Sequence, residues 1–223
     1  MMKLCSSVAL LAGLLLVAGC APSGMKSVER TGFLTHYDML QPDGGEDRAA
    51  LVYIKPGVDF KSYNKLMFER IVLLLADSAE TRAIDPTVLK EMTDYYQQAL
   101  FNAVKGGYEI VDQPGPGVMR VRIAITELKP AKPVANTLSS IIPVGIVVAG
   151  AVKAASEENL GTGEAGTEME LLDSQSGVRL AAVMDRRQGG KEAFGGKWDD
   201  TKEAFDTWAK RFRQRLDEMR AVR

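Results

Sequence analysis

Apolar positions along this chain recur in two periods, and the breaks between them divide it into short strands and two amphipathic helices. Leu51-Val52-Tyr53-Ile54 is a short apolar run with strand composition. Residues 66–75, with Met67, Phe68, Ile71, Val72, Leu73 and Leu74, predict one longer strand, because helical spacing is missing there. Val88, Leu89, Met92, Tyr96, Ala99, Leu100 and Ala103 then repeat at three-and-four spacing. Asp85-Pro86 opens this helix, since Asp85 caps it and Pro86 at the first position forfeits no hydrogen bond; Gly106-Gly107 closes it. Residues 108–111 read as a strand and Pro114-Gly115-Pro116-Gly117 as a turn. Residues 118–128 form a strand with Met119, Val121, Ile123 and Ile125 on one face and Arg120 and Arg122 on the other. A hairpin over 168–173 and 178–184 and a last helix from about Asp200, striped by Phe205, Trp208, Phe212, Leu216 and Met219, complete the pattern. Two amphipathic helices against a mostly antiparallel sheet predict a two-layer α+β domain.

Two segments do not fit that domain. At the N-terminus, Lys3 precedes an apolar stretch over 8–17, which has the form of a secretory signal peptide and falls short of the roughly 20 residues that span a bilayer. Val17-Ala18-Gly19-Cys20 resembles the lipobox of bacterial lipoproteins, and the resemblance implies cleavage before Cys20 and lipid on its thiol. The expected organisation is a signal peptide over 1–19, a lipidated tether over 20–31 and a single domain over 32–223 with an apolar insertion over 134–155. In that insertion, residues 133–152 carry no charge, and Ile141, Ile142, Val144, Ile146, Val147 and Val148 dominate its apolar core. Pro143 and the polar residues before it leave about twelve apolar residues, below spanning length. A helix buried on the domain, a self-association surface and a segment dipping into the bilayer all remain open.

Cysteine and charge narrow the remaining chemistry. Cys5 lies in the expected signal peptide and Cys20 takes lipid, so the domain rests on its core without a disulfide. Cutting after residue 19 removes Lys3 and takes 28 basic side chains to 27 against 29 acidic ones, a balance that offers nothing to nucleic acid. His36 is the only histidine, and it reads as a surface or packing residue, so we assign no catalytic residue, metal or cofactor. Asp199-Asp200 and Glu157-Glu158 read as capping or solvated acids. Arg186, Arg187, Lys191 and Lys197, interleaved with Gly189, Gly190, Gly195 and Gly196 before the last helix, form a candidate anion-binding loop, against a plain solvated connection. Lys210, Arg211, Arg213, Arg215, Arg220 and Arg223 suit the dipole at that helix's C-terminal end.

Several short stretches also share a family pattern. Gly32-Phe33-Leu34 with Tyr37 and Leu40, the run from Tyr53 to Phe60, Pro114-Gly115-Pro116-Gly117 ahead of Ile123-Ala124-Ile125-Thr126, Asp173 with Gly177, and Trp198 with Trp208 resemble the bacterial lipoprotein family known as domain of unknown function 3313. His36 departs from the acidic or polar residue expected at its place. The resemblance implies a lipid-anchored envelope protein and no particular reaction. The expected function is a non-enzymatic module that binds an envelope partner or copies of itself. A small-ligand site at the glycine-rich loop and a membrane-active insertion are the alternatives. Ala21, where aspartate would signal inner-membrane retention in enteric bacteria, points to the periplasmic face of the outer membrane.

Overall fold

In a computed structural model, residues 30–44, 51–131, 163–189 and 196–221 are described; Cys20, Lys191 and the insertion over 134–155 lie outside them. Eight strands form one sheet: β1 Gln41–Pro42, β2 Leu51–Ile54, β3 Lys65–Phe68, β4 Val72–Leu73, β5 Glu109–Ile110, β6 Val118–Lys129, β7 Glu164–Asp173 and β8 Arg179–Gln188. Their order is β1-β2-β8-β7-β6-β3-β5, with β4 also on β6. The first five in that order pair antiparallel, while β3, β4 and β5 pair parallel. Parallel pairing follows from the helix interposed between β3 and β5, which returns the chain to the end where it started. The fold is α+β, with a mixed sheet.

The single strand expected over 66–75 is broken. Phe68 sits opposite Val121 and Val72 opposite Ala124, so one extra residue is inserted against β6. This bulge shifts the alternation: Ile71 becomes buried and Val72 exposed, and Glu69 faces the arginines of β6. The short helix α1, Ala79–Arg82, was not foreseen; Ser78 caps it, accepting from Thr81 N at 3.1 Å.

Helices α2, Pro86–Val104, and α3, Asp199–Ala221, cover one face of the sheet. Asp85 caps α2 as expected, its Oδ1 accepting from Thr87 N at 2.7 Å. Met92, Tyr96, Leu100 and Val104 on α2 meet Phe205, Trp208, Phe212 and Leu216 on α3. Tyr96 and Phe205 stack with ring centroids 4.5 Å apart, and Trp208 lies 5.9 Å from each. Beyond α2, Gly107 leaves room for the Arg213 guanidinium, which reaches the carbonyls of Ala103 and Val104, each at 3.4 Å. The last turn of α2 is thus capped from α3.

The turn before β6 depends on Gly117. Its φ is +71°, and a Cβ there would lie 2.7 Å from the Ser62 carbonyl oxygen. Its own carbonyl accepts from Asn64 N and Lys65 N at 3.1 and 3.2 Å, which sets β3 parallel to β6 from the first residue.

Candidate functional site

The sheet face away from the helices carries charge where the other carries the core. Along β7, Thr167, Met169 and Leu171 point to the helices, while Glu164, Glu168 and Glu170 alternate onto the outer face. Residues 31–40 pack over part of that face: Leu34 and Leu40 are buried against Ala182 and Met184, with Leu51 and Tyr53 at the side. Glu168 lies beneath them with no exposed surface. Its Oε1 accepts from Thr31 N at 3.1 Å and Thr31 Oγ1 at 3.0 Å; its Oε2 accepts from Leu34 N at 3.2 Å and Tyr37 Oη at 2.7 Å. Four donors from one segment thus converge on one buried carboxylate, which satisfies it without a cation. Burial and then the bond to Glu168 push the Tyr37 phenol above its ordinary pKa. His36 is exposed and takes φ 57°, shaping the turn between Leu34 and Tyr37 rather than entering any cluster.

Ion pairs flank this clasp on both sides. Glu170 binds Arg122 and accepts from Arg179 Nε and Nη2 at 3.0 and 2.8 Å, and Glu69 pairs with Arg120 and Arg122. Toward the other end, Glu127 meets Lys129 Nζ at 2.7 Å and Arg186 Nε at 2.6 Å, and Glu164 pairs with both of the same cations. Burial raises the Glu164 pKa, but hydrogen bonds from Lys129, Arg186 and Gln188 outweigh it and bring the carboxyl down to about 2. A carboxyl depressed in the fold stabilises it fully above its ordinary value, and this contribution is lost as pH falls. Urea midpoints measured from about pH 5 to about pH 2 should therefore decline more steeply for wild type than for Glu164→Gln. Parallel curves would remove Glu164 from the acid response.

Three of the four cations expected to hold an anion, Arg186, Arg187 and Lys197, fall among the described residues. Arg186, opposite Gly166, faces outward and is matched by Glu127 and Glu164, whereas Arg187, opposite Ala165, falls on the helix side of the strand. Lys197 lies 5.9 Å from the Trp198 ring centroid, and Lys191 is outside the described residues. A cleft of about 650 Å³ does border Arg30, Lys129 and Arg186, but Glu80 and Glu127 line it too. The basic end of α3 is likewise engaged, as contacts and not merely as a dipole match. Arg211 pairs with Asp185, Arg213 with Asp217, Arg215 with Asp43 and Glu218, and Arg220 lies over Tyr108.

On the helix side, β8 and β2 extend the sheet beyond the cover of α3 and leave a groove of about 320 Å³. Val52, Ile54, Met169 and Val183 line the sheet wall; Phe212, Leu216 and Met219 line the helix wall. At its base lies Asp185, 4% exposed, accepting from Trp208 Nε1 at 2.7 Å and Arg211 Nη1 at 3.2 Å. Arg215 bridges to Asp43 at the mouth. Apolar walls around a few convergent polar groups are the common form of a binding site. Neither Glu168 nor Asp185 was singled out from the sequence, although acids at alternate strand positions opposite Arg122 were a usable signal. Among the described residues, no group of three or more His, Cys, Asp or Glu is placed to hold a metal ion, and no helix is long and apolar enough to cross a membrane.

Comparison with known proteins agrees with the sequence pattern. The chain is 25% identical over 185 residues to the uncharacterized lipoprotein YdcL of Escherichia coli strain K12, covering 82% of each. Among solved structures it is similar to the PelC dodecamer from Paraburkholderia phytofirmans, with 11% identity, 71% of this chain and 94% of that one covered, and a TM-score of 0.41. It is also similar to a DUF4136 family protein from Bacteroides thetaiotaomicron, with 11% identity, 76% and 95% covered, and a TM-score of 0.34. The family described as protein of unknown function DUF3313 matches residues 29–212, most of the chain. This protein therefore belongs to the DUF3313 family.

Proposed function

We propose that this chain is an envelope lipoprotein, anchored through Cys20, whose domain is a non-enzymatic binding module with the groove between β2, β8 and α3 as its binding surface. The lipobox and the likeness to a lipoprotein support the anchor. The groove carries the binding reading, because its walls are apolar and its buried acid is already engaged with Trp208 and Arg211. Such a lining favours holding an apolar surface over moving a proton. Ile54, 41% exposed on the sheet wall, is the accessible contact. Ala21 after the lipidated cysteine supports the periplasmic face of the outer membrane as its address.

The test places a photoreactive residue at Ile54 in cells, in the wild-type chain and in Cys20→Ser. Wild type should incorporate labelled palmitate and give a discrete crosslinked species; Cys20→Ser should lose both. Palmitate in both chains would refute the anchor, and no adduct from a lipidated, folded wild type would refute the groove.

A further inference from the structure

Three stretches of chain leave the fold from one end of the sheet. Just past β6, Ala131 N donates to Lys197 O at 2.9 Å; where the chain returns, Gly163 N donates to Asp200 Oδ2 at 2.6 Å and its carbonyl accepts from Gly189 N at 2.8 Å. Ala131, Gly163, Gly189 and Lys197 therefore cluster at the first turn of α3, and they border residues 132–162 and 190–195. The N-terminal segment heads to the same end. Thr35 contacts Arg179 near the far part of β8, Thr31 bonds Glu168 midway along β7, and Arg30 lines the cleft beside Gly166, Lys129 and Arg186. The turn over Asp173–Val178 sits at the opposite end, ten strand residues away, or about 30 Å.

Two of these three stretches have a chemistry suited to lipid. The segment before Arg30 leads to Cys20, and eleven residues from there to Thr31 reach at most about 40 Å. The stretch from Ala131 to Gly163 contains twenty consecutive uncharged residues, 133–152. A tether this short keeps lipid at high effective concentration around the surface from which the apolar run departs. Trp198, partly exposed with Lys197 over its ring, adds an aromatic and a cation, the side chains favoured at the level of lipid headgroups.

We propose that this end of the domain, marked by Arg30, Ala131, Gly163, Gly189 and Trp198, is the face held against the bilayer that carries the anchor. The proposal rests on the lipoprotein reading above and goes beyond it by fixing how the domain is oriented. The opposite end, with the Asp173–Val178 turn, then points away from the lipid.

The full lipidated chain in phosphatidylethanolamine and phosphatidylglycerol vesicles with dansyl-labelled headgroups tests it by energy transfer from tryptophan. Wild type places the donor at Trp198. The double variant Val178→Trp with Trp198→Phe moves it to the far turn, and Trp198→Phe alone measures the background from Trp208. Background-corrected transfer should be severalfold greater from Trp198 than from the far turn. Equal or reversed transfer, in protein that floats with the vesicles, overturns the orientation while leaving the anchor standing. Lipid-treated chain that does not float overturns the anchor, and the orientation with it.

Discussion

Replacing Trp208 by alanine should lower the stability of the domain by about 3 to 5 kcal/mol, a large part of the 5 to 15 kcal/mol that holds an ordinary domain folded. Trp208 is 5% exposed and closes the aromatic cluster of Tyr96 and Phe205, so truncation opens a cavity where α2, α3 and the sheet meet. It also removes the indole N–H from Asp185, which keeps Arg211. Trp208→Phe separates the two effects: most of the volume stays and the charged hydrogen bond goes, at about 1.5 to 3 kcal/mol. Urea unfolding should show the alanine midpoint well below that of phenylalanine, with both below wild type. An unchanged midpoint for Trp208→Ala would place the indole outside the core.

Glu168→Ala should cost about 2 to 4 kcal/mol, with a local signature. Its four donors all belong to residues 31–37, so their loss undocks one segment, and the cost is capped at the free energy of that undocking. Tyr37 Oη also accepts from Gly32 N at 2.9 Å and Leu34 N at 3.3 Å, so removing the carboxylate loosens a connected network. Amide hydrogen exchange should accelerate at Leu34 far more than at Val121 in the middle of β6. Tyr37→Phe, which removes one donor, should do the same to a smaller degree. Equal protection of Leu34 in wild type and Glu168→Ala would show that Leu34 and Leu40 hold the segment by apolar contact alone.

The helix readings carried over well because each was redundantly encoded. Asp85, Pro86, the apolar stripe and Gly106 all agree on α2, and the stripe from Phe205 to Met219 has the same phase as the observed buried face of α3. The break at Glu69–Ile71 had a sign in the sequence, since Glu69 and Arg70 interrupt the apolar run there, but the extra residue shows only once a partner strand sets the register. The site was harder still. Glu168 and Asp185 lie on opposite faces of the sheet, and each has its role only through partners far away in sequence: Thr31 to Tyr37 for one, Trp208 and Arg211 for the other. The stretch holding Arg186, Arg187, Lys191 and Lys197 was legible only as a run of neighbouring cations, of which Arg186 and Arg187 lie on opposite faces of β8. Closeness in sequence suggested a patch, but adjacent strand residues point apart.

The clasp on Glu168 also decides how tension would pass through the molecule. A pull on the N-terminal segment reaches the sheet at Thr31 and Leu34, and from there enters β7, an inner strand paired along its length with β6 on one side and β8 on the other. The load is borne by a strand that cannot be peeled away without breaking two ladders at once. Had the segment joined the sheet at β1, two residues at the edge would have taken the force and unzipped first.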